Sequence, residues 1–245
     1  IVPLAVSPDG FNINENCGAV HPQIMAAAVV AHGADAGICL DGDADRLIMA
    51  DEAGTIIDGD QILGCLALAM QERGTLAKNA VVGTVMTNRG LETRLGKAGI
   101  DLHRVAVGDR YILEKMRQDG LNLGGEPSGH MLMTDFARSG DGLLTALQML
   151  TLLKTSGKKA SKLFNSFSPN PQRLENLRGI NPAILQDQKL QSDLANIEAN
   201  LNGKGRVLVR PSGTEALVRV MVEAESEALL TEAMDALILR ITAEA

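Results

Sequence analysis

Short apolar runs alternate with longer amphipathic ones along most of this 245-residue chain. That order confines it to helices packed on a mixed sheet, the α/β class. Pro22 suits the first turn of a helix running to about His32, and Gly33 can close it. Ala36 to Leu40 then reads as a short buried strand that ends on Asp41-Gly-Asp-Ala-Asp-Arg46. Leu47 to Ala50 and Thr55 to Ile57 predict a hairpin, and Asp60 is positioned to cap a helix from Gln61 to about Arg73. A second unit follows the same grammar, with strands at Ala80 to Val85, Leu102 to Val107 and Leu121 to Leu123. Helices at Gly90 to Ala98 and Asp109 to Gln118 separate them. The loop Gly124 to His130 leads into the apolar Met131 to Met133, and Ser139-Gly-Asp-Gly142 opens a helix from Leu143 to Lys154. Asn165 to Gln172, with Pro169 and Pro171, has the chemistry of a domain linker. The remainder predicts an α+β unit: a helix from Pro182 to Leu201, strands Arg206 to Val209 and Leu217 to Glu223, and a helix from Ser226 to about Ala243.

Composition narrows the function. Aromatic residues make up only 2% of the chain, so the core is aliphatic and platforms for stacking single-stranded bases are disfavoured. A net charge of -7 argues against a nucleic-acid binder, which neutralises phosphates with clustered Lys and Arg. Cys17, Cys39 and Cys65 are odd in number and form no CxxC pair, so neither a disulfide framework nor a zinc site is indicated. The longest apolar run, Ile62 to Met70, is too short for a membrane span, and no signal-peptide pattern opens the chain. The expectation is a cytoplasmic protein with no membrane or nucleic-acid partner.

Asp41, Asp43 and Asp45 alternate at the mouth of a strand, so a tight loop can turn three carboxylates toward one point. Such a cluster repels itself unless a cation is present, and hard oxygen ligands in a compact site favour Mg²⁺. Three readings compete. An EF-hand loop needs Gly at its sixth position, where this chain has Arg46. A haloacid-dehalogenase-type phosphatase would fit Asp-x-Asp after a strand, although Ala44 follows Asp43 where those enzymes carry Thr or Val. The third is a polar turn without metal.

Two further loops carry chemistry. Glu126, Ser128 and His130 alternate, so an extended segment would point a carboxylate, a hydroxyl and an imidazole to one side. Glu and Ser suit sugar hydroxyls, and His130 suits proton movement near neutral pH; the bland reading is a glycine-rich turn with a structural histidine. Arg210-Pro-Ser-Gly-Thr-Glu215 joins two strands. There Arg210 can grip a phosphate, Ser212 and Thr214 can donate hydroxyls, and Gly213 lets backbone N–H groups approach, unless it is an ordinary hairpin turn. Arg219 on the next strand is a further cation of undetermined facing.

These loops, together with Pro8 to Asn14, Cys17-Gly18, His21-Pro22, Asp58 to Gln61, Ala106 to Tyr111 and Ser139 to Leu144, resemble the α-D-phosphohexomutase family in the same order along the chain. Within it they are most similar to the bacterial branch acting on glucosamine phosphates. The resemblance implies a four-domain enzyme in which a domain 1 phosphoserine exchanges its phosphoryl group with a hexose phosphate through a bisphosphate intermediate. It would interconvert glucosamine 6-phosphate and glucosamine 1-phosphate. Asp41, Asp43 and Asp45 are then implied as Mg²⁺ ligands, Arg46 as the charge beside the phosphoserine, and Glu126 and Ser128 as readers of sugar hydroxyls. His130 is implied in proton transfer, and Arg210, Ser212, Gly213 and Thr214 in holding the second phosphate. Ala44 stands where the family often has Gly, Pro127 where a polar residue is common, and Ala216 where Pro is usual.

The implied organisation is part of domain 2 at 1–73, domain 3 at 74–168 and domain 4 at 169–245, the last an α+β domain of TATA-binding-protein-like type. No serine loop of the domain 1 kind occurs in the 245 residues, which begin at Ile1. The expectation is therefore a C-terminal part with no mutase turnover of its own. Its partner is a hexosamine phosphate, and its assembly, if any, a homodimer.

Overall fold

In a computed structural model of the chain, described over residues 1–212 and 217–243, the apolar run Ala36–Leu40 forms strand β1. Its side chains alternate. Cys39 packs with Met25 and Val29 of helix α1 (Gln23–His32), while Ala36 and Leu40 pack on the larger core behind the sheet. β2 (Leu47–Asp51) is buried along its whole length and pairs antiparallel with β1 on one side and with β3 (Ile56–Ile57) on the other. The hairpin expected here is closed by Asp51, whose Oδ1 accepts from the amides of Ala53 and Thr55.

Helix α2 (Gly59–Glu72) starts earlier than the sequence suggested, and its cap is Asp58 rather than Asp60. Asp58 has the extended backbone an N-cap requires, and it accepts from the Gln61 amide. Asp60 lies in the first turn, buried, where Oδ2 accepts from the Asn88 amide at 2.7 Å. Burial pushes the Asp58 carboxyl above its ordinary pKa, partly offset by its hydrogen bonds to the Gln61 and Asp60 amides.

A second sheet has the order β5-β4-β6-β7. β4 (Ala80–Thr84) runs parallel to β5 (Asp101–Val105) and β6 (Leu123–Gly125), and β7 (Met131–Met133) returns antiparallel to β6. The intervening helices are α3 (Arg89–Lys97) and α4 (Asp109–Asp119). Ile112 and Met116 of α4 cover one face with Val82 and Leu132. The other face belongs to the main core, where Val81, Leu123 and Met131 meet α2, α3 and α5 (Gly142–Ser156). Short α6 (Ala160–Leu163) leads to Phe164, which is fully buried in that core. These elements make one compact unit, 1–168. Helix α2, expected in the first of two domains, packs on α3 and β6 as well as α5.

The second unit, 169–245, corrects one expectation. The sequence read Gln172 as the end of a linker, yet β8 (Gln172–Arg178) is a strand paired with β10 (Leu217–Ala224) along its length. Its pattern Gln-Arg-Leu-Glu-Asn-Leu-Arg is too polar to announce a strand, because β8 is an edge whose residues are half-buried at most. β9 (Gly205–Pro211) flanks β10 on the other side, also antiparallel. The helix expected from Pro182 is broken: a 3₁₀ turn, Pro182–Gln186, precedes α7 (Gln188–Asn200), and Asp187 caps the new start through the Leu190 amide. Val218, Val220 and Val222 face α7 and α8 (Glu227–Ala243) through Leu190, Leu194, Leu230 and Leu237. Mixed α/β layers in the first unit and an α+β sheet in the second agree with the class read from the sequence.

Two stability measurements test this packing by urea denaturation. Phe164→Ala should destabilise the first unit by about 3–5 kcal/mol, the cost of a large cavity in a closed core. Ala44, at φ +60° in the β1–β2 loop, occupies backbone space that favours glycine, so Ala44→Gly should stabilise it by about 0.5–1 kcal/mol.

Candidate metal, sugar and phosphate sites

The loop 41–46 leaves β1 and re-enters at β2, and its turn is closed from within. The Ala44 amide donates to the Asp41 carbonyl, and the Arg46 amide donates to Asp41 Oδ1 at 3.1 Å. One carboxylate oxygen from each of Asp41, Asp43 and Asp45 then lies within 4.8 Å of the others. The Arg46 guanidinium is half-exposed with Nε 3.7 Å from Asp41 Oδ2, too long for a hydrogen bond and close enough to offset charge.

His130 completes this arrangement. Its Nδ1 lies 2.9 Å from Asp45 Oδ2, and the ring is only 5% exposed as part of the residue. Asp45 Oδ1 and His130 Nε2 are buried with no hydrogen-bond partner. A buried carboxylate oxygen without a donor is costly, and a cation is the partner that would satisfy it. The three aspartates therefore fit a divalent ion: all ligand atoms are hard oxygens, two of the three residues are partly buried, and one oxygen is an orphan.

The loop containing Glu126 is not the extended segment that alternation suggested. It is a tight turn between β6 and β7, in which the Gly129 amide donates to the Glu126 carbonyl and the Glu126 amide to the His130 carbonyl. Glu126 and Ser128 consequently stay together, while His130 turns away from them. Glu126 is buried and accepts from the Gly108 amide at 3.0 Å through Oε1, while Ser128 is exposed, with Oγ 3.4 Å from Glu126 Oε2. His130 faces Asp45. The hold of Gly108 on Glu126 was not anticipated, although the motif Ala106 to Tyr111 marked the segment. Nor was the seat of His130, Gly140: a Cβ there would lie 2.3 Å from the ring Cε1.

In the second unit, Arg210 lies on β9 directly opposite Arg219 on β10. Residues paired in this way share a sheet face, which settles the facing of Arg219. Arg219 Nε is buried without a partner, so two like charges stand side by side with one donor unmet. The Ser212 amide donates to the Leu217 carbonyl. Gly213 and Thr214, and with them Ala216, lie outside the described residues. Cys39 and Cys65 are buried, which pushes their thiols up to about 11 and about 12, so neither is a nucleophile near neutral pH. No helix among the described residues is long and apolar enough to cross a membrane.

Comparison with known proteins gives the family of the chain. Residues 58–170 match the family model for the phosphoglucomutase/phosphomannomutase alpha/beta/alpha domain III, and 171–240 match the C-terminal domain of the same family. The chain is 53% identical over 239 residues to a phosphoglucosamine mutase of Roseobacter denitrificans, covering 97% of this chain and 53% of that one. It is 50% identical over 244 residues to one from a Ruegeria species, covering 99% and 55%. The chain thus spans about half the length of the curated relatives it matches. Among solved structures, a phosphoglucomutase/phosphomannomutase family protein of Burkholderia thailandensis superposes with a TM-score of 0.76 at 25% identity, over 92% of this chain and 51% of the other. The fold is shared with an Aspergillus fumigatus N-acetylphosphoglucosamine mutase solved with GlcNAc-6P and magnesium, at a TM-score of 0.71 and 20% identity over 92% of this chain and 53% of that one. Two consecutive domain matches, carried by relatives of about half identity over nearly every residue, place the chain in the phosphoglucomutase/phosphomannomutase family, the α-D-phosphohexomutases.

Proposed function

We propose that this chain supplies the metal, sugar and phosphate sites of a phosphoglucosamine mutase, interconverting glucosamine 6-phosphate and glucosamine 1-phosphate. The observation that carries the reading is the carboxylate cluster with its orphaned Asp45 oxygen, in a chain half identical to proteins of that activity. Asp41, Asp43 and Asp45 would hold Mg²⁺, which when bound supplies positive charge to the oxygens of a phosphoryl group in transfer. Arg46 adds a second cation beside it. Glu126 keeps its carboxylate fixed through Gly108 and, with Ser128, accepts sugar hydroxyls. Arg210 and Ser212, with Gly213 and Thr214, hold the phosphate that is not transferred, and Arg219 adds its charge on the same sheet face. We read His130 as the positioning residue of Asp45 in preference to a proton carrier, because Nδ1 is engaged with that carboxylate and Nε2 is enclosed. The division into parts of domains 2, 3 and 4 at 73/74 and 168/169, and a cytoplasmic location, belong to the same reading.

Titration calorimetry with Mn²⁺ as a spectroscopically visible substitute for Mg²⁺ tests the metal site. Asp43→Ala should abolish binding, and His130→Gln should weaken it about 10–100-fold, the usual effect of losing the group that orients a ligand; equal affinity in all three proteins would sink the assignment. For the substrate, glucosamine 6-phosphate should bind the chain more tightly than mannose 6-phosphate, and Arg210→Ala should weaken binding about tenfold or more. Steady release of inorganic phosphate from the purified chain would instead favour a phosphatase.

A further inference from the structure

The turn Ser139-Gly-Asp-Gly142 opens α5, and neither of its glycines has a positive φ. Backbone freedom is therefore not what calls for glycine there; space is. A Cβ on Gly140 would lie 2.3 Å from Cε1, 2.5 Å from Nε2 and 2.8 Å from Nδ1 of His130, and these are its three nearest atoms. The Gly140 backbone thus lies against the edge of the imidazole that carries both nitrogens. A Cβ on Gly142 would meet the Arg46 carbonyl oxygen at 2.7 Å, Leu40 Cδ2 at 2.8 Å and the Ala44 carbonyl oxygen at 2.9 Å. Real Cβ atoms hardly ever approach within 3.0 Å. The Gly142 amide also donates to the Ala44 carbonyl at 2.9 Å.

Both contacts converge on Asp45. The Ala44 carbonyl belongs to the peptide unit that leads into Asp45, and the planarity of that unit fixes the Asp45 amide with it. His130, the ring under Gly140, has Nδ1 2.9 Å from Asp45 Oδ2. One glycine therefore acts on the backbone of Asp45 and the other on its side chain. The turn is itself anchored. Asp141 Oδ1 accepts from the Leu144 amide, the Asp141 carbonyl accepts from the buried Thr145 hydroxyl, and Ala146, Met149 and Leu152 of α5 lie in the main core.

We propose that Gly140 and Gly142 are positioning residues of the candidate metal site: the turn at the head of α5 braces Asp45 so that its unpaired Oδ1 stays free for the ion. The inference rests on the reading of Asp41, Asp43 and Asp45 as a divalent-ion site. Gly140 acts through His130, because a methyl group there forces the ring aside and loosens its hold on Asp45 Oδ2. Gly142 acts through the Ala44 carbonyl, and a methyl group there moves the aspartate loop itself. A ligand held by two such supports is oriented before the ion arrives, which raises the affinity of the site.

The test is calorimetric titration of the 245-residue chain and its variants with Mn²⁺, each also followed by urea denaturation. Gly140→Ala should weaken Mn²⁺ binding about 10–100-fold, and His130→Ala should weaken it to a similar degree. The double variant should bind no more weakly than His130→Ala alone, because removal of the ring leaves the new methyl group room. Gly142→Ala probes the backbone contact separately and should weaken binding about tenfold or more. Gly157→Ala, at the C-cap of the same helix with φ +63° and no atom within 4 Å of its Cβ, strains α5 and should leave Mn²⁺ affinity unchanged. Unaltered affinity in either folded variant of the turn would overturn the proposal. So would a full loss on adding Gly140→Ala to the His130→Ala chain, which would separate the glycine from the ring. An equal loss in Gly157→Ala would count against it too, by tying affinity to the stability of α5 alone. No binding by the unaltered chain would end the metal reading and this inference together, whereas binding that the turn variants spare ends this inference only.

Discussion

The two sheets of the first unit are joined by a close contact between backbones, and the candidate metal site depends on it. The Leu47 amide donates to the Gly129 carbonyl, and Arg46 and His130 form an isolated antiparallel bridge. A Cβ at position 129 would sit 2.1 Å from the Leu47 carbonyl oxygen, so only glycine permits the approach, and at φ +95° only glycine adopts the backbone comfortably. With that bridge made, Asp45 and His130 meet although they lie 85 residues apart. Without it, the aspartate loop and the sugar loop would be features of separate sheets.

Much of this was legible in the sequence because it was local. The β1 run, the Gly33 cap and the aspartate hexamer are each written within about six residues, and the β2–β3 hairpin within eleven. Their placement follows from alternation, turn chemistry and charge repulsion. The convergence of Asp41, Asp43 and Asp45 needed no knowledge of the remainder of the fold.

What stayed hidden was non-local or too polar to carry a pattern. His130 reads as one of three alternating polar groups, and nothing in Gly124 to His130 says that its ring will be aimed at a loop from another sheet. Glu126 finds its holder in the Gly108 backbone, which has no side chain to advertise the contact. β8 escaped because an edge strand half in solvent is not required to be hydrophobic, and the cap of α2 was misplaced because two aspartates, 58 and 60, compete for it and only backbone conformation decides.

If Asp41, Asp43 and Asp45 hold the proposed cation, their crowding ties the thermodynamics of the chain to its ionic surroundings. A cation held by the folded loop and absent from the unfolded chain stabilises the fold by mass action, by about 2.7 kcal/mol at a hundredfold excess over its dissociation constant. With the proposed ion bound at these aspartates, divalent-ion supply would act on the stability of the folded first unit as well as on the occupancy of the site. Depletion would present the same molecule to chaperones and proteases as a less durable one.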